Sequence, residues 1–381
     1  MQKNNNLDKH SAFSIHTKKS NIAQQTQVDL PLPNLEKGEI CVRIESFGFS
    51  SNNVTYAVTG DTFGYWGFFP AWTPLGTVDN NAGIIPLWGF AVVTESAHPE
   101  VAEGQRLFGY LPMASHWIMS PQQVSASGFT DNHPTRVANS PVYNQYTWCA
   151  NDAMYKASRE AWQANFRPLF LTSFVLKEYI AAETVEQPTT ILLTSASSKT
   201  AYGCAYLLKQ LAQCEVVGLT SARSVDFVTD LGCYDEVIEY SEVANMRFNN
   251  PVWILDFAGN KALLQQLQEI LDAKHRHTSF IGITDVQAQT NKPDGKIKGS
   301  VFFAPDHVKM LNKMWGKPLF NQNYAEAWAF VADRLAGHLM VEEHKGVENV
   351  LATYQSFLKG KVDTSQVVWC RWKCILIEPI L

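Results

Sequence analysis

The sequence predicts an α/β protein in which a mainly β part is followed by a doubly wound parallel sheet. The chain has 381 residues, which is long for a single hydrophobic core. Its first third contains apolar residues with a period close to two, as in half-buried strands. From Thr189 onward, short continuous apolar runs alternate with helix-like segments, the pattern of a parallel sheet covered by helices.

The β-rich part comes first. Glu39–Phe47 alternates between apolar and polar residues, and Trp88–Glu95 and Arg106–Met119 are further apolar stretches punctuated by turn residues. Residues 128–159 have no regular period and are rich in Asn, Tyr and Trp, which indicates a boundary or a long loop. Pro168–Ala182 then has apolar residues three and four apart, which predicts a helix.

The parallel sheet is predicted from five apolar runs, which are Ile191–Leu193, Val216–Leu219, Val237–Ile238, Val252–Leu255 and Phe280–Ile283. Strands that are buried on both faces have this continuous apolar character. The helical segments between the runs supply the crossovers that parallel neighbours require. The second half of the chain is therefore predicted to be a Rossmann-type domain.

Composition excludes several classes of partner. The formal net charge of −5 gives no reason to expect nucleic acid or an anionic membrane surface. No apolar run approaches the roughly 20 residues of a spanning helix. Residues 1–20 are polar and lack the apolar core of a secretory signal. The seven cysteines form no Cys-x-x-Cys pair, which is typical of reduced thiols. We expect a soluble, cytoplasmic protein.

The turn after the first strand of the predicted sheet is the first candidate binding site. Small residues there let the main chain approach a pyrophosphate, and the following helix offers free N–H groups and a favourable dipole. The candidate residues are Thr194, Ser195, Ala196, Ser197, Ser198, Lys199 and Thr200. The chain contains no Gly-x-Gly-x-x-Gly. The alternative is a hydroxyl-rich helix cap that binds nothing.

The end of the second strand favours NADP over NAD. An NAD enzyme usually places Asp or Glu there to bind the ribose 2′-hydroxyl, whereas this chain has Leu219-Thr220-Ser221-Ala222-Arg223. Arg223 can hold a 2′-phosphate with two hydrogen bonds, and Ser221 can donate beside it. The alternative is a solvated surface arginine.

Several segments resemble the medium-chain dehydrogenase/reductase superfamily, specifically its zinc-free quinone-reductase and enoyl-reductase-like branches. Val216–Tyr240 is similar to the stretch from the second strand through Leu-Gly-Ala-Asp-x-Val-Ile-x-Tyr, and Val252–Asn260 to the fourth strand with its Asp-x-x-Gly. Gly38–Gly60 and Trp88–Tyr110 resemble the GroES-like substrate domain. The likeness covers most of the chain at the level of motifs. It departs from the family in the phosphate turn and in residues 129–159, as in a divergent branch.

The resemblance implies a domain layout and further cofactor contacts. Residues 1–155 would form the GroES-like domain, with 320–381 returning to it, and residues 160–315 the Rossmann domain. The active site would lie in the cleft between the domains. Additional cofactor-binding residues would be Phe257, Gly282, Phe302 and Phe303, the last two near the nicotinamide. A homodimer is an expectation from the resemblance.

The sequence predicts no metal site. Zinc-dependent members of the superfamily use a Cys and a Gly-His-Glu segment for the catalytic ion, and four close Cys for a structural ion. Here Cys41 lies inside a predicted strand and no Gly-His-Glu exists. Cys370 and Cys374 lie in a strand-like run, and His116 and His133 lack neighbours at metal-ligand spacing.

Without zinc, a hydrogen-bond donor must stabilise the developing enolate or phenolate. The segment from Thr55 to Gly60 is similar to the Thr-Tyr-x-x-x-Gly of zinc-free quinone reductases, which makes Tyr56 a candidate. Asn53 resembles the polar position before that motif. Tyr65 is nearer the tyrosine of enoyl reductases. Each can also be an ordinary half-buried residue. The surrounding aromatic residues indicate a substrate-covering loop, a packing plug or a dimer contact.

The predicted function is an NADP-dependent, zinc-free oxidoreductase that transfers hydride to an apolar conjugated carbonyl, quinone or enoyl substrate. Two alternatives remain open: a nucleotide-binding protein of the same fold without turnover, and an interaction protein with a blocked cleft. The sequence lacks three signatures of other enzyme classes. These are the Gly-x-Ser-x-Gly of α/β-hydrolases, the Tyr-x-x-x-Lys of short-chain dehydrogenases and the phosphate-binding loop of nucleoside triphosphatases.

Overall fold

The computed structural model describes residues 11–32, 34–137, 139, 141–185, 187–281, 297–363 and 365–372. They divide into two compact units. The first, the β unit, comprises the described residues of Met1–Asn165, Val341–Val362 and Val367–Leu381. The second, the sheet unit, comprises those of Phe166–Met340 and Asp363–Gln366.

The strands, in chain order, are β1 (Ser11–Lys18), β2 (Gln25–Pro31), β3 (Ile40–Phe49), β4 (Ala82–Ile84), β5 (Pro86–Ser96), β6 (Arg106–Pro112), β7 (His116–Met119), β8 (Pro121–Ser125), β9 (Gly128–Asp131), β10 (Gln145–Trp148), β11 (Thr189–Leu193), β12 (Cys214–Thr220), β13 (Glu236–Glu239), β14 (Val252–Asp256), β15 (His275–Phe280), β16 (Ser300–Val301), β17 (Met340–Lys345) and β18 (Gln366–Arg371). The α-helices of the described residues are α1 (Ser51–Val58), α2 (Pro134–Val137), α3 (Glu160–Glu183), α4 (Lys199–Leu208), α5 (Val225–Asp230), α6 (Lys261–Leu271), α7 (Ala304–Trp315), α8 (Lys317–Leu335) and α9 (Val347–Leu358).

The β unit is built on antiparallel sheets. Among the described residues, its large sheet has the order β17-β18-β3-β5-β6-β10-β9-β8, with β7 also paired to β3, and a smaller sheet has the order β2-β1-β4. Strand β3 is buried along most of its length and is paired on both edges, with β18 and β7 on one side and β5 on the other. The core of this unit includes Phe47, Leu87, Tyr110 and Met113, all fully buried.

The sheet unit contains a parallel sheet with the order β13-β12-β11-β14-β15-β16 among the described residues. The first strand along the chain, β11, therefore lies between the second and the fourth, which is the strand order of doubly wound dinucleotide-binding sheets. Every residue of β11 and β14 is buried, as expected for strands with helices on both faces. The predicted parallel sheet is confirmed.

The fifth strand differs from its predicted position. It runs over His275–Phe280 instead of residues 280–283. Its first three residues are only half-buried, so the strand contains His and Arg and lacks a continuous apolar run. Gly282 and Ile283 lie outside the described residues. Strand β16, of two residues, was not predicted.

Residues 128–159, which have no sequence period, form short elements at one end of the large sheet. Strands β9 and β10 pair with each other, and β10 also pairs with β6. The short helix α2 and the 3₁₀ turn Pro141–Asn144 lie between these two strands in the chain. Elements of four residues are too short to show periodicity, so no pattern in the sequence indicates them.

The chain returns to the β unit later than the resemblance implies. Residues 317–335 form α8 in the sheet unit, and the β unit resumes at Val341 instead of residue 320. The segment Asp363–Gln366 belongs to the sheet unit again. Among the described residues, no helix is long and apolar enough to cross a membrane.

Candidate functional site

The predicted phosphate turn joins the end of β11 to the start of α4. Ser198 caps the helix, because its Oγ accepts from the Ala201 amide over 3.3 Å. The carboxyl end of β11 faces the same edge of the sheet as the ends of its parallel neighbours, β12 and β14. Ligands of open parallel sheets bind outside this edge, where the strand order reverses.

Thr194 is a structural residue of this turn. Its Oγ1 donates to Asp256 Oδ1 over 2.7 Å and accepts from the Phe257 and Ala258 amides over 2.9 and 3.1 Å. Asp256 also accepts from the Gly259 amide. Burial raises the pKa of the Asp256 carboxyl, and these hydrogen bonds oppose that rise. The Thr194 hydroxyl is therefore already saturated and fixes the turns after β11 and β14 against each other.

The main-chain amides of the turn divide into bonded and free groups. The Ser195 amide donates to Tyr240 Oη over 2.8 Å, and the Ala196 amide donates to Leu219 O over 2.9 Å. Within the described part of the chain, the amides of Ser197, Lys199 and Thr200 take no partner. Unpaired amides at the first turn of a helix are donors for an anion. At the mouth of α4 the Ser195 amide is thus already bonded, and the three amides beyond it are unpaired among the described residues.

Close approach of the turn to β12 depends on a glycine that lies outside the turn. Ala196 is fully buried, and its carbonyl accepts from Tyr234 Oη over 2.8 Å. A Cβ on Gly218 of β12 would lie 2.9 Å from Ala196 Cβ and 2.9 Å from Tyr234 Cδ1. Such contacts are too short for real side chains, so Gly218 is required for this packing.

Lys199 is the first residue of α4 and is half-buried. Burial lowers the pKa of its ammonium to about 8. Its Nζ donates to the Gln366 carbonyl over 3.3 Å, a long contact with a neutral acceptor. An anion bound at the adjacent amides would therefore gain a nearby cation that no carboxylate neutralises among the described residues.

Arg223 lies in the 3₁₀ turn Ala222–Ser224 after β12, and its side chain is exposed. Asp363 lies within electrostatic range of it. Hydrogen bonds from Ser365, with a smaller contribution from the charge of Arg223, hold the pKa of the Asp363 carboxyl below its usual range. Ser221 is half-buried, and its Oγ contacts Ser224 Oγ at 3.5 Å. Ser221 and Arg223, the two residues predicted to bind the 2′-phosphate, thus lie directly after β12.

The remaining predicted cofactor-binding residues differ from one another in burial and in their contacts. Phe257 is half-buried, and its amide belongs to the Thr194 network. Phe302 is buried and stacks on His307 with ring centroids 4.2 Å apart, whereas Phe303 is 57% exposed. Gly282 lies outside the described residues. The structure therefore brings together residues 194–200 and the loop from Phe257, and it places Phe302 in the packing of α7.

The predicted catalytic tyrosines meet in the β unit. Tyr56 on α1 and Tyr65 in a 3₁₀ turn have ring centroids 4.7 Å apart. Tyr110 on β6 and Tyr143 join them, with their centroids 4.6 Å apart and Tyr110 edge-on to Tyr56 at 5.5 Å. We call Tyr56, Tyr65, Tyr110 and Tyr143 the tyrosine cluster. Tyr65 and Tyr143 are half-buried, whereas Tyr56 and Tyr110 are buried.

Two hydroxyls of the tyrosine cluster lie close to each other. Tyr65 Oη and Tyr143 Oη are 3.4 Å apart, and Trp88 Nε1 donates to Tyr56 Oη over 3.3 Å. Burial raises the pKa of the Tyr56 and Tyr65 hydroxyls far above the usual range, and the neighbouring Tyr143 raises both further. Both groups therefore stay protonated at physiological pH, as a hydrogen-bond donor must.

Asn53 does not join the cluster hydroxyls in a hydrogen bond. Its Oδ1 accepts from the Ser50 amide over 2.8 Å, and its Nδ2 donates to the Pro86 carbonyl over 2.9 Å. It is 3% exposed. Its amide thus completes the capping box of α1 and ties this helix to the start of β5.

Sequence reasoning missed Tyr110, Tyr143 and the residue that supports them, Arg136. Arg136 is fully buried, and its Nε donates to Asn144 Oδ1 over 3.0 Å and its Nη2 to Tyr146 Oη over 2.9 Å. Its Nη2 also bonds to the carbonyl of Tyr143. The sequence signal for Tyr143 was the concentration of tyrosines in residues 129–159. It could not be interpreted before the structure showed which side chains these tyrosines contact.

The aromatic loop near Tyr65 is largely a packing element. Trp66, Phe68 and Phe69 are buried, whereas Phe63 is 41% exposed. Arg136 lies over the Phe69 ring at 4.5 Å.

Among the described residues, no three His, Cys, Asp or Glu side chains cluster closely enough to hold a metal ion.

Solved structures share this fold over nearly the whole chain. CurA from Vibrio vulnificus in complex with NADPH has 13% identity and a TM-score of 0.58, covering 94% of this chain and 98% of its own. The Etr1p/NADP/crotonyl-CoA complex has 12% identity and a TM-score of 0.57, covering 95% and 100%. The quinone oxidoreductase from Coxiella burnetii has 13% identity and a TM-score of 0.53, covering 95% and 99%. The predicted fold class, a Rossmann domain with a GroES-like domain, is confirmed.

The likeness thus defines the fold as that of the medium-chain dehydrogenase/reductase superfamily. The chain belongs to the family described as "Protein of unknown function (DUF2855)", whose model matches residues 47–363. No curated protein matches its sequence significantly.

Proposed function

We propose that the chain is an NADP-dependent oxidoreductase that reduces a conjugated carbonyl, quinone or enoyl substrate. The observation that carries the proposal is the set of unpaired amides at the start of α4, at the carboxyl edge of the parallel sheet. The Ser197, Lys199 and Thr200 amides lack partners among the described residues. CurA and Etr1p, which share the fold, were solved with NADPH or NADP.

The residues of the turn fit a dinucleotide phosphate. The three free amides supply donors, the buried Ala196 against Gly218 keeps the main chain free of bulky side chains, and Lys199 supplies a cation. Residues 221–224, directly after β12, contain no acid that could bind a ribose 2′-hydroxyl, and Arg223 in this segment would bind a 2′-phosphate instead. NADPH, when bound, would supply the hydride.

In the β unit, Tyr65 would donate a hydrogen bond to the substrate carbonyl oxygen. It is more exposed than Tyr56, whose hydroxyl is buried and already accepts from Trp88. As hydride adds to the conjugated carbon, the electron pair moves onto the carbonyl oxygen, and the Tyr65 hydroxyl stabilises the resulting enolate or phenolate. A solvent proton then completes the two-electron reduction. Tyr56 would hold the Tyr65 ring, and Asn53 would hold α1.

Calorimetric titration with NADPH and NADH tests the cofactor part of the proposal. We expect wild-type protein to bind NADPH more tightly, and Arg223→Ala to lose this preference while NADH affinity stays unchanged. Lys309→Ala is a matched control, because Lys309 is an exposed cation of the same unit paired with Asp306. Oxidation of NADPH in the presence of a panel of quinones and enones tests the reaction. Failure to bind either nucleotide, or to oxidise NADPH with any panel member, would overturn it.

The second candidate function is nucleotide binding without turnover. The observation in its favour is the bond from the Ser195 amide to Tyr240, which removes one donor from the mouth of α4. Tight NADPH binding combined with no activity on the whole carbonyl panel would select this function over the reductase.

A further inference from the structure

The separation of two hydroxyls in the tyrosine cluster is unusual for a mutual hydrogen bond. Tyr65 Oη and Tyr143 Oη are 3.4 Å apart, whereas O–H···O bonds have lengths of about 2.5–3.0 Å. The two groups therefore bond weakly to each other. An acceptor oxygen at about 2.7 Å from each hydroxyl would give both groups a stronger bond than they make to each other.

The hydroxyl protons of the cluster also lack a strong acceptor. Within the described residues, no carboxylate or main-chain carbonyl accepts from the hydroxyls of Tyr65, Tyr110 or Tyr143. Tyr110 is fully buried and its Oη has no partner there. Burial raises the pKa of the Tyr110 hydroxyl, and the nearby hydroxyls of the cluster raise it further, so it also stays a donor. Buried hydroxyls are rarely left unpaired, so the Tyr110 hydroxyl is a donor without an acceptor among the described residues.

Aromatic side chains surround the two hydroxyls. The rings of Phe68 and Tyr143 meet edge-on at 5.4 Å, and Phe63 packs 6.0 Å from Tyr65. These aromatic faces lower the local dielectric and strengthen a charge-assisted hydrogen bond. Arg136 bonds to the carbonyl of Tyr143 and to Tyr146, which fixes the position of Tyr143.

We propose that Tyr65 and Tyr143 form a two-donor oxyanion site that binds planar ligands carrying a phenolate or enolate oxygen. Both hydroxyls donate to the same anionic oxygen, and the aromatic rings contact the conjugated plane. Tyr143 thereby becomes a second substrate-contacting residue, contributed by the stretch 129–159. In catalysis this inference rests on the proposed reductase function, because the reduced substrate passes through such an anion, but ligand binding does not require nucleotide.

The test is the binding of 4-nitrophenol, whose ionisation changes its visible absorbance, to nucleotide-free protein. We expect wild-type protein to bind the phenolate in preference to the neutral phenol and to lower the apparent pKa of the ligand. Tyr143→Phe and Tyr65→Phe should each weaken phenolate binding by about tenfold or more, because hydrogen bonds to charged groups are the stronger ones. Tyr155→Phe is the control, since its hydroxyl bonds to Glu160 in the same unit.

Phenylalanine retains the ring contacts of Tyr143, and a denaturation midpoint equal to that of the wild type will show that the fold is intact. Unchanged phenolate affinity in Tyr143→Phe would overturn the proposal. So would a wild-type preference for neutral phenol, or no binding at all, and these two results need no variant. Enone reduction by NADPH is measured in parallel: reduction that is insensitive to Tyr143 with no phenolate binding rejects the two-donor site alone, and phenolate binding without reduction rejects the reductase alone.

Discussion

The hydroxyl of Thr194 donates to the carboxylate of Asp256 over 2.7 Å, and this bond ties the ends of two adjacent parallel strands. The same hydroxyl accepts from two amides of the loop that follows β14. One side chain thus sets the shape of both turns at the edge where a dinucleotide would bind. The contact explains why a residue with a hydroxyl follows β11.

Thr194→Val should destabilise the protein by about 1–3 kcal/mol, because the Phe257 and Ala258 amides and the buried Asp256 lose their partner. Nucleotide affinity should fall with it as both turns loosen. Thr194→Ser, which keeps the hydroxyl, should retain most of the stability and most of the nucleotide affinity. Urea denaturation measures the stability, and calorimetry measures the affinity. Equal stability of the Val variant and the wild type would show that the network does not hold the turns.

Gly218→Ala should move the phosphate turn. The added Cβ would lie 2.9 Å from Ala196 Cβ, and overpacking of a core typically costs about 1–3 kcal/mol. We expect lower stability together with weaker NADPH binding. Gly337→Ala is the matched control in the same unit, because a Cβ on Gly337 would meet nothing within 4 Å among the described residues. A Gly218 variant that binds NADPH as tightly as wild type would contradict the required close approach.

Lys199 should make nucleotide binding depend on pH. Its pKa of about 8 means that the free protein loses this charge as pH rises through 8. A bound phosphate favours the charged form, so affinity should be greatest below about pH 8 and decline toward about pH 9.5, with proton uptake on binding within this range. Lys199→Met should bind more weakly and lose this part of the pH dependence. Calorimetry in buffers of different ionisation enthalpy measures the proton uptake.

Asp363→Asn should strengthen NADPH binding by about two- to fivefold, the range of an exposed charge interaction. The carboxylate lies within electrostatic range of Arg223, so it competes with a 2′-phosphate. The asparagine oxygen can still accept from Ser365, so the local turn is kept. NADH affinity should not change. Asp230→Asn, whose carboxylate pairs with His338, is the control. Equal effects on both nucleotides would remove Arg223 from the 2′-phosphate site.

Arg136→Met should destabilise the β unit by about 3–5 kcal/mol, because it leaves the buried Asp131 carboxylate without its cation. Arg43→Met should cost less than about 1 kcal/mol, since Arg43 pairs with Glu45 at the surface. Chemical denaturation compares the two. Similar losses in both variants would show that burial of Arg136 does not support residues 129–159.

The parallel sheet could be predicted because burial on both faces forces continuous apolar runs, as in Ile191–Leu193 and Val252–Leu255. Strand β15 was misplaced because partial exposure lets it carry His275, Arg276 and His277. The turn of residues 194–200 was predicted from small residues at a strand-to-helix junction, and it does join β11 to α4. The roles of the individual residues in this turn could not be predicted. The sequence cannot show that the Thr194 hydroxyl already has all its hydrogen-bond partners within the protein.

The tyrosine cluster illustrates a different limit. Tyr56 and Tyr65 are close in sequence and were named from motifs. Tyr110 on β6 and Tyr143 before β10 are distant from them in sequence and meet them only in the folded structure. Contacts over such separations depend on sheet register, which no local pattern specifies. Asn53 resembles in sequence the polar position before the motif, and its side chain is bonded on both sides within the fold.

Ser195 has φ of +49°, a left-handed conformation that usually selects glycine. A serine tolerates it here with some local strain, while the glycine that matters for space, Gly218, belongs to the neighbouring strand. Pattern searches that look for consecutive glycines at such junctions will pass over chains of this kind. A paired criterion, small residues in the turn and one glycine on the adjoining strand, would recover them.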